Sequence, residues 1–229
     1  MVVVSLGRVL AVSPHLDDAV LSVGGLLAAH PGSVALTVFA GFPARYEGLG
    51  AWDADCGFAE GDDIVAARRA EDLRAVESLG AEASWLDFVE IQYEPSRPAV
   101  DDIARAIGDA ARAFDIDTIA MPLGLRHPDH ERAHQACLML FERDPGLIEN
   151  WVAWADIPYR ARHPELLDDR VKSLRSKGFG LDPWSLATDE RKQAAVAEYA
   201  SQLRALGDIT DAELPEQLYA LRRPVAARQ

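Results

Sequence analysis

The chain has 229 residues, 49% of them hydrophobic and 26% charged, and carries a formal net charge of −14. That length supports one sizeable core, while the negative sign repels phosphate backbones and anionic lipid and so argues against nucleic-acid or membrane-surface partners. No apolar run approaches the ~20 residues of a membrane span, and the two cysteines, Cys56 and Cys137, form neither a C-x-x-C motif nor a disulfide framework.

The apolar N-terminal run lacks a basic leader and a small-residue cleavage site. It reads as a buried strand rather than a signal peptide, and a cytoplasmic protein is expected. A strand over 8–12 is followed by a largely apolar helix over 20–30 that stops at Pro31-Gly32, then by a second strand over 34–39. Residues 40–61 form a long loop rich in Gly, Asp and aromatics, a length that marks functional loops and lids. A helix spans 63–79 with Gly80 as its stop, and 85–88 is a short strand. Val100, Ile103, Ala104, Ile107, Ala111 and Phe114 give the clearest amphipathic helix. A strand over 118–121 closes at Pro122 and leads to a helix over 128–141. From residue 150 onward the pattern weakens to a strand (WVAWA), a loop around KSLRSKGFGLDPW and a helix over 188–206. Strands alternating with helices predict an α/β fold: a Rossmann-like, doubly wound, mostly parallel sheet with helices on both faces.

Two segments carry the chemistry. Ser13-Pro14-His15-Leu16-Asp17-Asp18 follows the first strand, where open α/β sheets bind ligands. His15 and Asp18 are spaced so that a turn entering a helix aims both at one point, and both are good zinc ligands. Asp17 would point elsewhere, within reach of a metal-bound water. The competing reading makes Asp17 and Asp18 helix-capping residues. The second segment, Arg126-His127-Pro128-Asp129-His130, opens the helix after the fourth strand, with Pro128 suited to the first turn. It too has a plain reading, as a solvated helix start. Together the segments supply His, Asp and His, a three-ligand site with a position open for water. The same stretch also spells H-E-x-x-H in His130, Glu131 and His134, the helix signature of zinc proteases, but without the downstream ligand that reading needs.

The runs SPHLDDAVLSVGG and LRHPDHERAH, with RRAEDLRAVESLG between them, resemble the LmbE-like, or PIG-L, family of zinc-dependent N-acetylglucosaminyl deacetylases over about residues 8–142. The resemblance implies a single deacetylase domain over 1–229, with the catalytic motifs in 8–142 and a less regular part from 150 to 229. It implies metal ligands at His15, Asp18 and His130, and Asp17 as general base. His127 would act as oxyanion stabiliser or proton donor, Asp129 would orient a histidine of the His127/His130 pair, and Arg68 would contact substrate. Zn2+ is the implied metal, with Fe2+ left open, and the implied substrate is a small N-acylated amino sugar or glycoconjugate. Ala19 and Ser13 depart from the family's A-H-P-D-D-E pattern and resemble the branch that deacetylates glycopeptide-antibiotic sugars. A homo-oligomer, a non-catalytic metal- or sugar-binding module and amide cleavage of a thiol conjugate stay open.

Overall fold

The computed structural model describes residues 6–207 and 210–224, so residues 1–5 of the apolar N-terminal run lie outside it. Strands β1 (Val9–Ser13), β2 (Val34–Thr37), β3 (Glu82–Trp85), β4 (Thr118–Pro122) and β5 (Asn150–Trp154) pair in parallel. Strands β6 (Gly180–Leu186) and β7 (Glu216–Arg222) complete a seven-stranded sheet of order β3-β2-β1-β4-β5-β7-β6, with β7 antiparallel to both its neighbours. The chain first moves outward from β1 through β2 to β3, then returns to place β4 on the other side of β1. That reversal opens a crevice between the carboxyl ends of β1 and β4.

Alternation along β1 divides the core. Leu10 and Val12 face α4 (Val100–Ala113), α5 (Pro128–Arg143) and α7 (Pro164–Ser176), packing with Ile103, Ile107, Leu140 and Val171. Val9 and Ala11 face α1 (Asp18–Ala29), α3 (Ile64–Ser78) and α8 (Glu190–Ala197), packing with Val23, Leu27, Val76 and Ala195. Helices cover both faces, and the central strands are therefore apolar except for Ser13, Thr37 and Thr118 at their ends.

The C-terminal part is more regular than its sequence suggests. The stretch read as a loop around KSLRSKGFGLDPW is the end of α7 and the strand β6. Pro183 obscured that strand, yet it is tolerated because β6 lies at the sheet edge. The helix expected over 188–206 breaks at Glu198 and Tyr199 and continues as α9 (Ala200–Leu206). There Tyr199, 1% exposed, turns inward and donates its hydroxyl to Asp72 at 2.7 Å. The long loop contains a short helix, α2 (Ala51–Asp55), the third strand begins at Glu82 rather than 85, and Phe39 lies beyond β2 in an isolated bridge to Asp87.

One buried ion pair fastens the C-terminal part to the first helix. Lys192 Nζ lies 2.9 Å from Glu216 Oε1, both side chains fully buried. Helix α1 is interrupted at Val23 (φ −137°, ψ 25°), and the freed N–H groups of Gly25 and Leu26 donate to the Glu216 carboxylate at 2.7 and 3.1 Å. A Cβ at Gly24 or Gly25 would stand 3.1 Å from Lys192 Cγ or Glu216 Oε1, so the tandem glycine makes room for the pair.

Candidate active site

The turn after β1 is held by Ser13, whose Oγ donates to the His15 carbonyl at 2.6 Å and accepts the Ala19 N–H at 2.9 Å. Ser13 thereby supplies an acceptor at the start of α1. Asp17 occupies the N-cap position but makes no side-chain capping bond, and its φ of 148° lies in a region that non-glycine residues rarely adopt. The capping reading therefore does not hold for Asp17. Its carboxyl, 7% exposed, lines the crevice instead.

Asp18 Oδ2 accepts the His15 N–H at 2.8 Å, lies 3.3 Å from His15 Nδ1, and lies 3.1 Å from His130 Nε2 on the first turn of α5. The two distant loops do meet. The far nitrogen of each ring is also engaged by a carboxylate: His15 Nε2 by Asp129 Oδ2 at 3.1 Å, and His130 Nδ1 by Asp156 Oδ1 at 2.7 Å. Donor atoms ~2.1 Å from a tetrahedral ion lie ~3.4 Å apart, close to the 3.3 and 3.1 Å of the Asp18 contacts. His127 completes the cluster. One ring nitrogen from each of His15, His127 and His130 lies within 4.8 Å of the other two. His127 Nδ1 accepts the Asp129 N–H at 3.2 Å, which places the ring proton on Nε2 and leaves that nitrogen a donor rather than a ligand. That tautomer favours Asp18 over His127 as the third ligand.

Burial works against charge on the His130 ring, but the Asp18 charge and hydrogen bonds to Asp156 and Asp18 raise its pKa to about 9. His15 is likewise raised despite its burial, by the Glu90 charge and by hydrogen bonds to Asp129 and Asp18. Burial raises Asp18 too, yet the His130 and His15 interactions hold it far below the carboxylate range. The arrangement thus favours positive charge around Asp18. Burial and the neighbouring Asp18 charge push Asp17 well above its ordinary value, against the pull of Arg68 and His15. Burial, reinforced by the His15 and His130 charges, lowers His127 to about 4.

One expectation changes in detail. Asp129 engages His15, a residue of the other loop, and stands 4.0 Å from His127 Nδ1. Arg68 lines the same crevice, but it is 3% exposed and its Nη1 is already bound to Glu90 Oε1 at 2.5 Å, so its reach to Asp17 is electrostatic. The H-E-x-x-H run does not assemble as a protease centre. Glu131 is half-exposed, 3.6 Å from Arg170, and His134 turns Nδ1 to the Pro122 carbonyl at 2.9 Å. Asp156, Glu90 and Tyr159 were not anticipated. Only Asp156 had a sequence signal: it is the first charged residue after the buried WVAWA strand, at the same sheet edge.

His15, Asp17, Asp18, His127, His130 and Tyr159, the first residue of α6 (Tyr159–Arg162), line a cavity of about 310 Å3 together with Trp52 of α2, Gln202 and Leu206 of α9, and Ile157-Pro158. Trp52 Nε1 donates to Gln202 Oε1 at 3.2 Å, so the long loop and the C-terminal part close the same space.

The family model for GlcNAc-PI de-N-acetylase, PIG-L, matches residues 10–141. A 2'-N-acetylparomamine deacetylase from Streptomyces fradiae is 32% identical over 152 residues, 57% of this chain. The match spans 50% of that relative's length. Among solved structures, the A40926 pseudoaglycone deacetylase Dbv21 superposes with a TM-score of 0.80 at 28% identity, covering 97% of this chain and 100% of that one. A deacetylase–teicoplanin complex superposes at 0.73 with 25% identity, covering 93% and 97%. With the family model matched across both histidine-bearing loops and the crevice between them, the chain belongs to the PIG-L family.

Proposed function

We propose that the protein is a metal-dependent amide hydrolase that removes an acyl group, acetyl in the simplest case, from the nitrogen of an amino sugar or glycoconjugate. The observation that carries this reading is the orientation of two imidazoles. His15 and His130 each direct one ring nitrogen at Asp18 Oδ2 and the other at a buried carboxylate, the pattern by which proteins fix metal-binding histidines. His15, Asp18 and His130 would hold the ion, and Zn2+ suits this donor set, with Fe2+ the alternative. Such an ion, when bound, supplies Lewis acidity toward an amide carbonyl and toward water.

The chain's own groups perform the proton transfers. Asp17, free of any capping bond, takes a proton from the attacking water as the new C–O bond forms. His127 donates its Nε2–H to the oxygen that gains negative charge. Collapse breaks the C–N bond, and the proton held by Asp17 passes to the departing nitrogen, giving a carboxylate and a free amine. The names of the relatives, deacetylases of 2'-N-acetylparomamine and of the A40926 pseudoaglycone, support removal of an acetyl group as the reaction.

The test is a stripped and metal-reloaded sample assayed for acetate and amine release from N-acetylated amino sugars. His15→Ala is expected to lose the metal. Asp17→Asn should keep it and lose turnover by orders of magnitude, and His127→Ala should keep it with kcat reduced about 10²–10³-fold. Wild-type metal content in His15→Ala, or wild-type turnover in Asp17→Asn, sinks the reading.

A further inference from the structure

We infer that Tyr159 determines which sugar the crevice accepts. Its hydroxyl hydrogen-bonds the substrate hydroxyl on the carbon next to the one that bears the acylated nitrogen, so the substrate is a vicinal N-acylamino alcohol. This rests on the deacetylase reading and narrows its substrate.

The chain brings Tyr159 to the imidazole cluster through Asp156. The Asp156 carboxylate holds His130, and the Asp156 carbonyl accepts the Arg160 N–H at 2.9 Å, closing the turn that returns Tyr159 to His130. The Tyr159 and His130 rings meet edge-on with centroids 5.3 Å apart. The turn is anchored at both ends. The Ile157 N–H donates to Ser22 Oγ of α1 at 3.1 Å, and Arg162 Nη2, at the end of α6, donates to the Leu206 carbonyl of α9 at 2.7 Å. A side chain held in this way is preorganised for a ligand.

The hydroxyl itself is uncommitted. Tyr159 lines the crevice, yet its Oη has no hydrogen-bond partner among the described residues. Other polar groups of the crevice are already engaged: Trp52 with Gln202, and Gln92 with Glu90. His127, whose ring contacts those of both His15 and His130 at 4.8 and 5.6 Å, serves the carbonyl oxygen, and Asp17 serves the water and the nitrogen. Tyr159 is therefore left for the sugar. With the amide between Asp17 and His127, the oxygen on the adjacent carbon is the sugar group closest to the reacting nitrogen, within reach of a side chain that touches His130. A phenol is protonated at neutral pH and both donates and accepts, which suits a hydroxyl partner. A site built around such a bond discriminates against a substrate that lacks the hydroxyl, because the protein group is then left unpaired.

The experiment measures metal content and kcat/KM of the metal-loaded full chain, wild type and Tyr159→Phe, with two probes. They are the methyl glycoside of N-acetylglucosamine and its 3-deoxy analogue, which lacks the hydroxyl next to the N-acyl carbon. On the first probe Tyr159→Phe is expected to lose about tenfold in kcat/KM at unchanged metal content, and the wild type should lose a similar factor on the 3-deoxy probe. On the 3-deoxy probe Tyr159→Phe should cost less than about twofold, since the partner is already gone. An equal tenfold loss on both probes would place the hydroxyl on the amide and overturns the inference. Loss of metal in Tyr159→Phe, or wild-type kcat/KM on both probes, overturns it too, leaving Tyr159 as packing for His130. None of these outcomes touches the deacetylase reading. No acetate from the wild type with either probe overturns that reading and this inference with it.

Discussion

The Asp156 carboxylate accepts a hydrogen bond from His130 Nδ1 at 2.7 Å, both side chains being at most 1% exposed. The same carboxylate receives the N–H groups of Gly124 at 3.1 Å and Leu125 at 3.2 Å, the turn that leads into the His127–His130 segment. One side chain from β5's end thus fixes the loop and the ring, and directs His130 Nε2 at Asp18 Oδ2, 3.1 Å away.

Replacing Asp156 should act through metal affinity. Asp156→Asn is expected to weaken metal binding about 10–100-fold, read by competition with a fluorescent chelator, with a far-UV spectrum like the parent. Unchanged affinity would show that His130 is oriented without it.

Asp17 predicts a trade between stability and turnover. Its φ of 148° is strained for any residue with a Cβ, and its buried carboxylate sits beside that of Asp18. Strain of this kind costs on the order of 1 kcal/mol, so Asp17→Gly should raise the melting temperature by about 2–4 °C while abolishing turnover. A lower melting temperature would show that the strain is not relieved there.

The Lys192–Glu216 pair should be expensive to break singly, because an uncompensated buried charge remains. Lys192→Met is expected to destabilise the fold by about 3–5 kcal/mol. The double variant Lys192→Met/Glu216→Gln, which keeps an acceptor for the Gly25 and Leu26 N–H groups, should recover part of that loss. Urea titration measures both. A double variant no more stable than the single one would assign the cost to packing rather than charge.

Asp72, a buried carboxyl that does not line the crevice, gives a pH signature of its own. Burial raises its pKa to about 6 from 3.8, against the hydrogen bonds from Trp85 and Tyr199. The folded state therefore binds this proton more tightly than the unfolded chain. The associated stability is fully present below the unfolded value and is lost as pH rises through about 6. Asp72→Asn should remove that component, so the difference in melting temperature, variant minus parent, should climb between pH 4 and about 6.5. A flat difference would mean that Asp72 ionises as easily folded as unfolded.

Local pattern determined much of this protein. Apolar runs of strand length marked β1 and β4, the 3.6-residue stripe from Val100 to Phe114 marked α4, and each histidine-bearing loop lay just beyond a strand's carboxyl end. The spacing of His15 and Asp18 within one turn was legible for the same reason: neighbours in the chain share local geometry. Which partners those residues meet across the sheet was not. Asp156 reaches His130 because β5 lies beside β4, Gln202 reaches Trp52 because α9 folds back over the crevice, and Lys192 finds Glu216 because β7 and α8 close on the broken helix α1. Strand order and helix docking bring these side chains together through burial summed over the whole core. No window of sequence contains that sum, so only the tertiary structure could decide it.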